Sequence, residues 1–136
     1  MNLVFKLNLL FRWKLHLRPS HLPIIPKLKL QPLITGLTID NVFAHFLKYV
    51  RLQLESYITN QYGAGADIWA TLYPTMHVIL TTPNGWEGAQ QNRMRTAAIK
   101  AGLVDENGGG RVRFVTEAEV SLHISEPFQA VNSSVV

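Results

Sequence analysis

The chain contains no cysteine. That excludes a disulfide scaffold, a thiolate zinc site and a cysteine nucleophile, and it is compatible with a reducing compartment. A cytoplasmic location is therefore the expectation. No apolar run approaches the roughly 20 residues that a membrane span needs, so no membrane partner is expected. Residues 1–19 briefly resemble a signal peptide, but Lys6, Asn8 and Arg12 interrupt the apolar run and no small-residue cleavage site follows. Two nucleotide fingerprints are missing as well, the P-loop with its Lys-Ser/Thr tail and G-x-G-x-x-G. So is the G-x-S-x-G elbow of serine hydrolases. His16, His21, His45, His77 and His123 are scattered and never fall at the spacing of a zinc site, so no metal is expected on these side chains.

What is present fits one modest globular core: 136 residues, of which 47% are hydrophobic and 16% charged. Net charge is +4, and much of the excess lies before residue 52, in Lys6, Arg12, Lys14, Arg18, Lys27, Lys29, Lys48 and Arg51. Clustered Lys and Arg are the footprint of a phosphate-bearing partner, and equally of a solvated face. The aromatic residues are dispersed and form no RNA-stacking set. Nucleic acid is not an expected partner.

Residues 13–18 alternate apolar and basic, the period of a half-buried strand, and residues 2–10 are read as another. Pro19, Pro23, Pro26 and Pro32 make 19–37 an extended connector. A long helix follows, with Ile39, Val42, Phe43, Phe46, Leu47, Val50, Leu54, Tyr57 and Ile58 on one face, Thr38 as N-cap and Asp40 at the positive end of the dipole. QYGAG ends it, and a linking segment with Trp69 and Tyr73 leads to a buried strand over 76–82. Pro83 stops that strand. Asn84 and Glu87 resemble a capping box for a helix over 85–101, closed by Gly102. DENGGG is a turn before the strand in RVRFVT, and EAEVSLHI starts a helix. The tail from Ser125 onward is read as frayed. The centre is thus β, α, β, which favours parallel strands in an α/β sheet. The expected division is a basic, β-rich segment with a Pro-rich connector at 1–37, an α/β domain at 38–124 and a tail at 125–136.

Two glycine-rich stretches are phosphate candidates. NGGGR precedes a strand and reads as a turn, whereas PNGWEG opens a helix and faces an anion only if capping does not account for its residues. Glu117, in FVTEAE, follows a strand's carboxyl end, where a carboxylate can orient a water or a metal-bound water near a ligand. Glu119 lies two residues on, and on spacing alone Glu117 also reads as a helix-start residue favoured by the dipole.

The stretch VILTTPNGWEGAQQNRMRTAAIKAGL, with FVTEAEVSLHI after it, resembles the heat-shock protein 70 family. That family has a strand ending T-V-P, a corner with an aromatic, a Gln-Arg pair, a helix closing at A-G-L, and then a strand running into N-E-P-T-A-A-A. The divergent eukaryotic branch of these actin-like ATPases is most similar, through PNGWEGAQQ and V-T-E-x-E-x-S-L-H. WKLHL and residues 38–60 resemble the preceding strand and helix less specifically.

The resemblance implies a partial actin-like, ribonuclease-H-like ATPase lobe with a central β-α-β unit. It implies a chaperone that binds ATP and Mg²⁺ in its intact form. Glu117 then corresponds to the glutamate that positions the hydrolytic water, and Pro83 to a strand-end proline of interdomain switching. Gln91 stands where the family has the arginine of its Gln-Arg pair, and Ala118 where a proline follows the glutamate. Neither the D-x-G-T loop nor the D-x-G-G-G-T loop that grip phosphate is matched. The expectation is therefore a fragment with weak or absent nucleotide binding, no useful hydrolysis of its own, and a protein client or self-association as further partners. The alternative is a non-catalytic basic module that binds a protein or a polyanion.

Overall fold

The computed structural model describes residues 13–23, 30, 32–86 and 88–125. The strand expected at 2–10, the capping role of Glu87 and the tail after Ser125 lie outside the described residues. Within them the chain forms a mixed α/β fold. A 3₁₀ turn at Trp13–Leu17 leads through the connector to α1 (Ile39–Gln61) and α2 (Gly65–Leu72). Strand β1 (Val78–Thr82), helix α3 (Ala89–Lys100), a second 3₁₀ turn (Gly108–Arg111), strand β2 (Val112–Thr116) and α4 (Glu117–Ser125) follow.

Helix α1 starts where its cap dictates. The Thr38 hydroxyl accepts from the Asn41 amide at 3.2 Å, and Asp40 sits in the first turn. Ile39, Val42, Phe43, Ala44 and Leu47 then bury one face in the main core, together with Leu17, Trp86, Met94, Ala97, Ala98, Val104 and Val112. Each fully buried aliphatic or aromatic side chain contributes roughly 1.5–3 kcal/mol. Alanines at 97, 98 and 101 thin the wall of α3 so that it can lie close to α1. At the rim, Arg93 of α3 donates to both carboxylate oxygens of Asp40, at 2.9 and 2.8 Å, and Lys100 donates to Asn41 at 2.9 Å. The hydrogen bonds to Asp40 hold the Arg93 guanidinium above its ordinary pKa, against a smaller opposing effect of burial.

The end of α3 is the helix stop read from the sequence. Gly102 adopts φ +67°, its amide donates to Ile99 O at 2.9 Å, and the Leu103 amide donates to Ala98 O at 3.0 Å. Together these form the paired Schellman closure, which needs a left-handed residue at the first position past the helix. The connection then brings β2 alongside β1 in parallel, with Val78 opposite Val112 and Thr82 opposite Thr116.

Four expectations are corrected. Residues 13–17 are a 3₁₀ turn that delivers Leu17, at 2% exposure, to the core, and Pro19 follows at once. The linking segment before β1 contains helix α2. Its Trp69 and Tyr73 lie one turn apart with ring centroids at 5.4 Å, and with Ile68 and Leu72 they follow a helical spacing, although only Gly65 and Trp69 of the helix are buried. Helix α3 begins at Ala89, four residues later than expected, because the corner first folds Trp86 into the core at 4% exposure. Its N-cap is Gly88, with no side-chain cap. Finally, β1 is buried on one face only, since Ile79 is 62% exposed.

The hairpin between α1 and α2 rests on a close approach. A Cβ on Gly65 would lie 2.3 Å from Ile58 O and 2.6 Å from Thr59 Cα, both rigid helix backbone. Gly65→Ala is expected to lower unfolding free energy in urea by about 2 kcal/mol or more, the range of overpacking and strain. Ala66→Gly, one residue along at an exposed site, should cost about 1 kcal/mol or less.

Candidate functional site

In a parallel pair, adjacent strands lie about 4.8 Å apart and end on the same side. The last register pair here is Thr82 with Thr116, so Pro83 and Glu117 each stand one residue beyond it, at the carboxyl edge of the sheet. The two residues singled out from the sequence are thus brought to neighbouring strand ends. This edge is where open α/β sheets place their ligands.

Pro83 is half-buried and has no amide donor to continue a ladder; its carbonyl accepts from the Trp86 amide at 3.3 Å, closing a turn. Gln91, which stands in place of the family arginine, donates to Trp86 O at 3.2 Å and so ties this corner to the first turn of α3. Thr82, at 0% exposure, carries a hydroxyl with no hydrogen-bond partner among the described residues. Behind the corner lies an apolar cleft of about 180 Å³ between Phe43, Phe46 and Leu47 of α1 and Leu80, Pro83 and Trp86.

Glu117 is exposed and opens α4. The cap of that helix is made by its neighbours. The Glu119 carboxylate accepts from the Thr116 amide at 2.6 Å, and the Glu119 amide donates to the Thr116 hydroxyl at 3.2 Å. This reciprocal pair is a capping box in T-E-A-E, whose T-x-x-E spacing was available to sequence reading. Glu119 therefore accounts for the helix start, the role that spacing alone also offered to Glu117. A carboxylate held there by a rigid cap, at the positive end of a helix and open to solvent, can accept a hydrogen bond from water and orient it.

Other predicted groups are not assembled. His21, His45 and His77 are exposed and separate, and among the described residues no three His, Asp or Glu side chains could hold a metal ion. The turn Gly108–Arg111 serves structure. Arg111 donates to Tyr73 O at 3.1 Å and Met76 O at 3.2 Å and pairs with Asp105, while the Tyr73 hydroxyl donates to Gly102 O at 2.9 Å. Several cations are likewise committed: Arg51 bridges Glu55 at 2.8 Å, and Arg95 lies 5.1 Å from the Phe114 ring centroid. No described helix is long and apolar enough to cross a membrane. No family model, curated protein or solved structure matches the chain.

The capping box makes a separable prediction. Thr116→Ala and Glu119→Ala should each cost about 1 kcal/mol. The double variant should cost clearly less than the sum, because each substitution already breaks the shared box. Denaturation of the four proteins measures this, and strict additivity would remove the box as a unit.

Proposed function

We propose that the chain is part of the first lobe of a heat-shock-70-like, actin-type ATPase. In the intact protein this lobe binds ATP with Mg²⁺ and hydrolyses it to drive chaperone conformational change. The observation that supports this reading most is the adjacency of Pro83 and Glu117 at the ends of a parallel pair joined by α3, within the stretch that resembles the family.

The residues at hand do not by themselves fit a complete Mg-ATP site. They supply one carboxylate at the strand end, and no phosphate-gripping loop is matched. The described residues include no metal-binding group. Phosphoryl transfer depends on several positioned parts acting together, so the contribution assigned to this chain is narrow: Glu117 orients a water, the Thr116–Glu119 cap fixes where Glu117 sits, and Pro83 with Gln91 shapes the corner beside it. Nucleotide binding by this chain alone is weak or absent.

A second reading, a non-catalytic interaction module, is favoured by a different observation. Val50, Leu52, Leu54 and Tyr57 of α1 and Ile79 of β1 are exposed at 38%, 44%, 37%, 59% and 62%. Apolar area of this kind marks contact surfaces. The attraction in that reading is apolar rather than ionic.

Thermal unfolding with and without 5 mM Mg-ATP separates the two. A residual half-site with a dissociation constant near 1 mM would stabilise the fold by about 1 kcal/mol, or roughly 4 °C for a chain of this size. The ATPase reading expects an upward shift no larger than this, reduced in Glu117→Ala and unchanged in Glu106→Ala. A midpoint unmoved at 20 mM nucleotide means that this chain alone keeps no half-site, and one moved equally in Glu117→Ala counts against a nucleotide site at these strand ends.

A further inference from the structure

The sequence contains two Asn-Gly pairs, Asn84-Gly85 and Asn107-Gly108. In this dipeptide the asparagine side chain is open to attack by the next backbone nitrogen, because glycine has no β-carbon to block the approach. The fold treats the two pairs oppositely. Asn84 and Gly85 are both exposed and form the middle of the turn in which the Trp86 amide donates to Pro83 O at 3.3 Å, with Gly85 at φ +81°. That is a β-turn with its left-handed residue third. The Gly85 amide makes no hydrogen bond among the described residues. Asn107-Gly108 is held fast instead. Gly108 is buried, its amide donates to Asp105 O at 2.8 Å, and the Asn107 amide donates to the Asp105 carboxylate at 3.0 Å. A Cβ on Gly108 would stand 2.7 Å from Val104 Cβ, and Arg111 pairs with the same Asp105 while donating to Tyr73 O and Met76 O.

We propose that Asn84 is a site of spontaneous deamidation and isomerisation that remodels the corner over Trp86, and that Asn107 is protected from the same reaction by its turn. The Gly85 nitrogen attacks Asn84 Cγ: the N–Cγ bond forms, the Cγ–Nδ2 bond breaks, and the amide proton of Gly85 leaves with the nitrogen as ammonia. One water then opens the five-membered imide at either carbonyl, which leaves an aspartate or an isoaspartate at position 84. One water is consumed and one ammonia released, with no change of oxidation state. To bring the reacting atoms together, Asn84 must rotate about its Cα–C bond, which opens only the Pro83–Trp86 turn. At Asn107, where ψ is −1°, the same rotation pulls Gly108 out of its packed position and breaks its 2.8 Å bond. Local opening of this kind costs more as burial and hydrogen bonding increase. The isoaspartyl product carries the side-chain methylene in the main chain, so the turn lengthens and a carboxylate is added at the sheet edge that bears Glu117. Trp86, 4% exposed and bound through its carbonyl to Gln91 at 3.2 Å, is the buried residue this displaces. A carboxyl methyltransferase specific for isoaspartate is the class of partner that recognises the product.

Peptide mapping by mass spectrometry after the full chain is aged at mildly alkaline pH reads both sites at once. Trypsin cuts after Arg51 and Arg93 and after Lys100 and Arg111, so the two asparagines fall in separate peptides. In the folded chain, conversion of amide to acid at Asn84 should run at least about tenfold faster than at Asn107, the effect of a modest difference in local opening. In concentrated urea the two rates should converge. The methyltransferase with a radiolabelled methyl donor should modify the aged chain and leave aged Asn84→Ser unmodified, and the Trp86 amide shift should move with conversion while that of Gly108 stays. Equal rates in the folded chain, faster conversion at Asn107, or an Asn84 that stays intact while the urea-unfolded chain reacts would each overturn the proposal. So would methyl incorporation that persists in Asn84→Ser, or a Trp86 signal unmoved by conversion.

Discussion

The contact between α1 and α3 is the constraint on which the rest depends. Helix α3 is the crossover between the two strands, so its position sets where β2 can return. The small residues Ala97, Ala98 and Ala101 let α3 sit against the Ile39–Leu47 face of α1, and the doubled Arg93–Asp40 bond fixes their alignment at the rim. An exposed pair of this kind adds at most about 1 kcal/mol; its use is orientation, and the buried apolar surface holds the helices together. With α3 placed, the Schellman closure at Gly102 turns the chain, Arg111 and Tyr73 bind the return to the end of α2, and β2 meets β1 in register.

Much of this was legible where a local rule had no competitor. Thr38 and Asp40 announced the start of α1, Gly102 announced the end of α3, and β, α, β order implied the parallel pair. Reading failed where one tertiary demand overrode a local pattern. The need to bury Trp86 delayed α3 past a plausible cap at Asn84, and at residues 13–17 a turn that delivers Leu17 to the core stands in place of an alternating strand. Helix α2 was readable and was passed over: Ile68, Trp69, Leu72 and Tyr73 fall at helical spacing, in a helix of only eight residues.

The site shows the same division. Pro83 and Glu117 were each placed at a strand end from sequence, but their adjacency depends on register, which a single sequence does not encode locally. Glu119 and Thr116 were the readable part that was passed over, a T-x-x-E signature at a helix start. The cleft under the corner draws Phe43 and Leu47 from one element and Leu80 and Trp86 from others, roughly 40 residues along the chain. No pattern along the chain signals such a meeting.

The account's central claim is that the parallel register sets Pro83 and Glu117 side by side. Backbone nuclear Overhauser contacts between residues 78–82 and 112–116 test it most directly. Inter-strand contacts that pair Val78 with Val112 and Thr82 with Thr116, in parallel order, are the predicted result. An antiparallel pattern, or a parallel one displaced by two residues, would carry Glu117 away from the corner and contradict both the site and the function built on it.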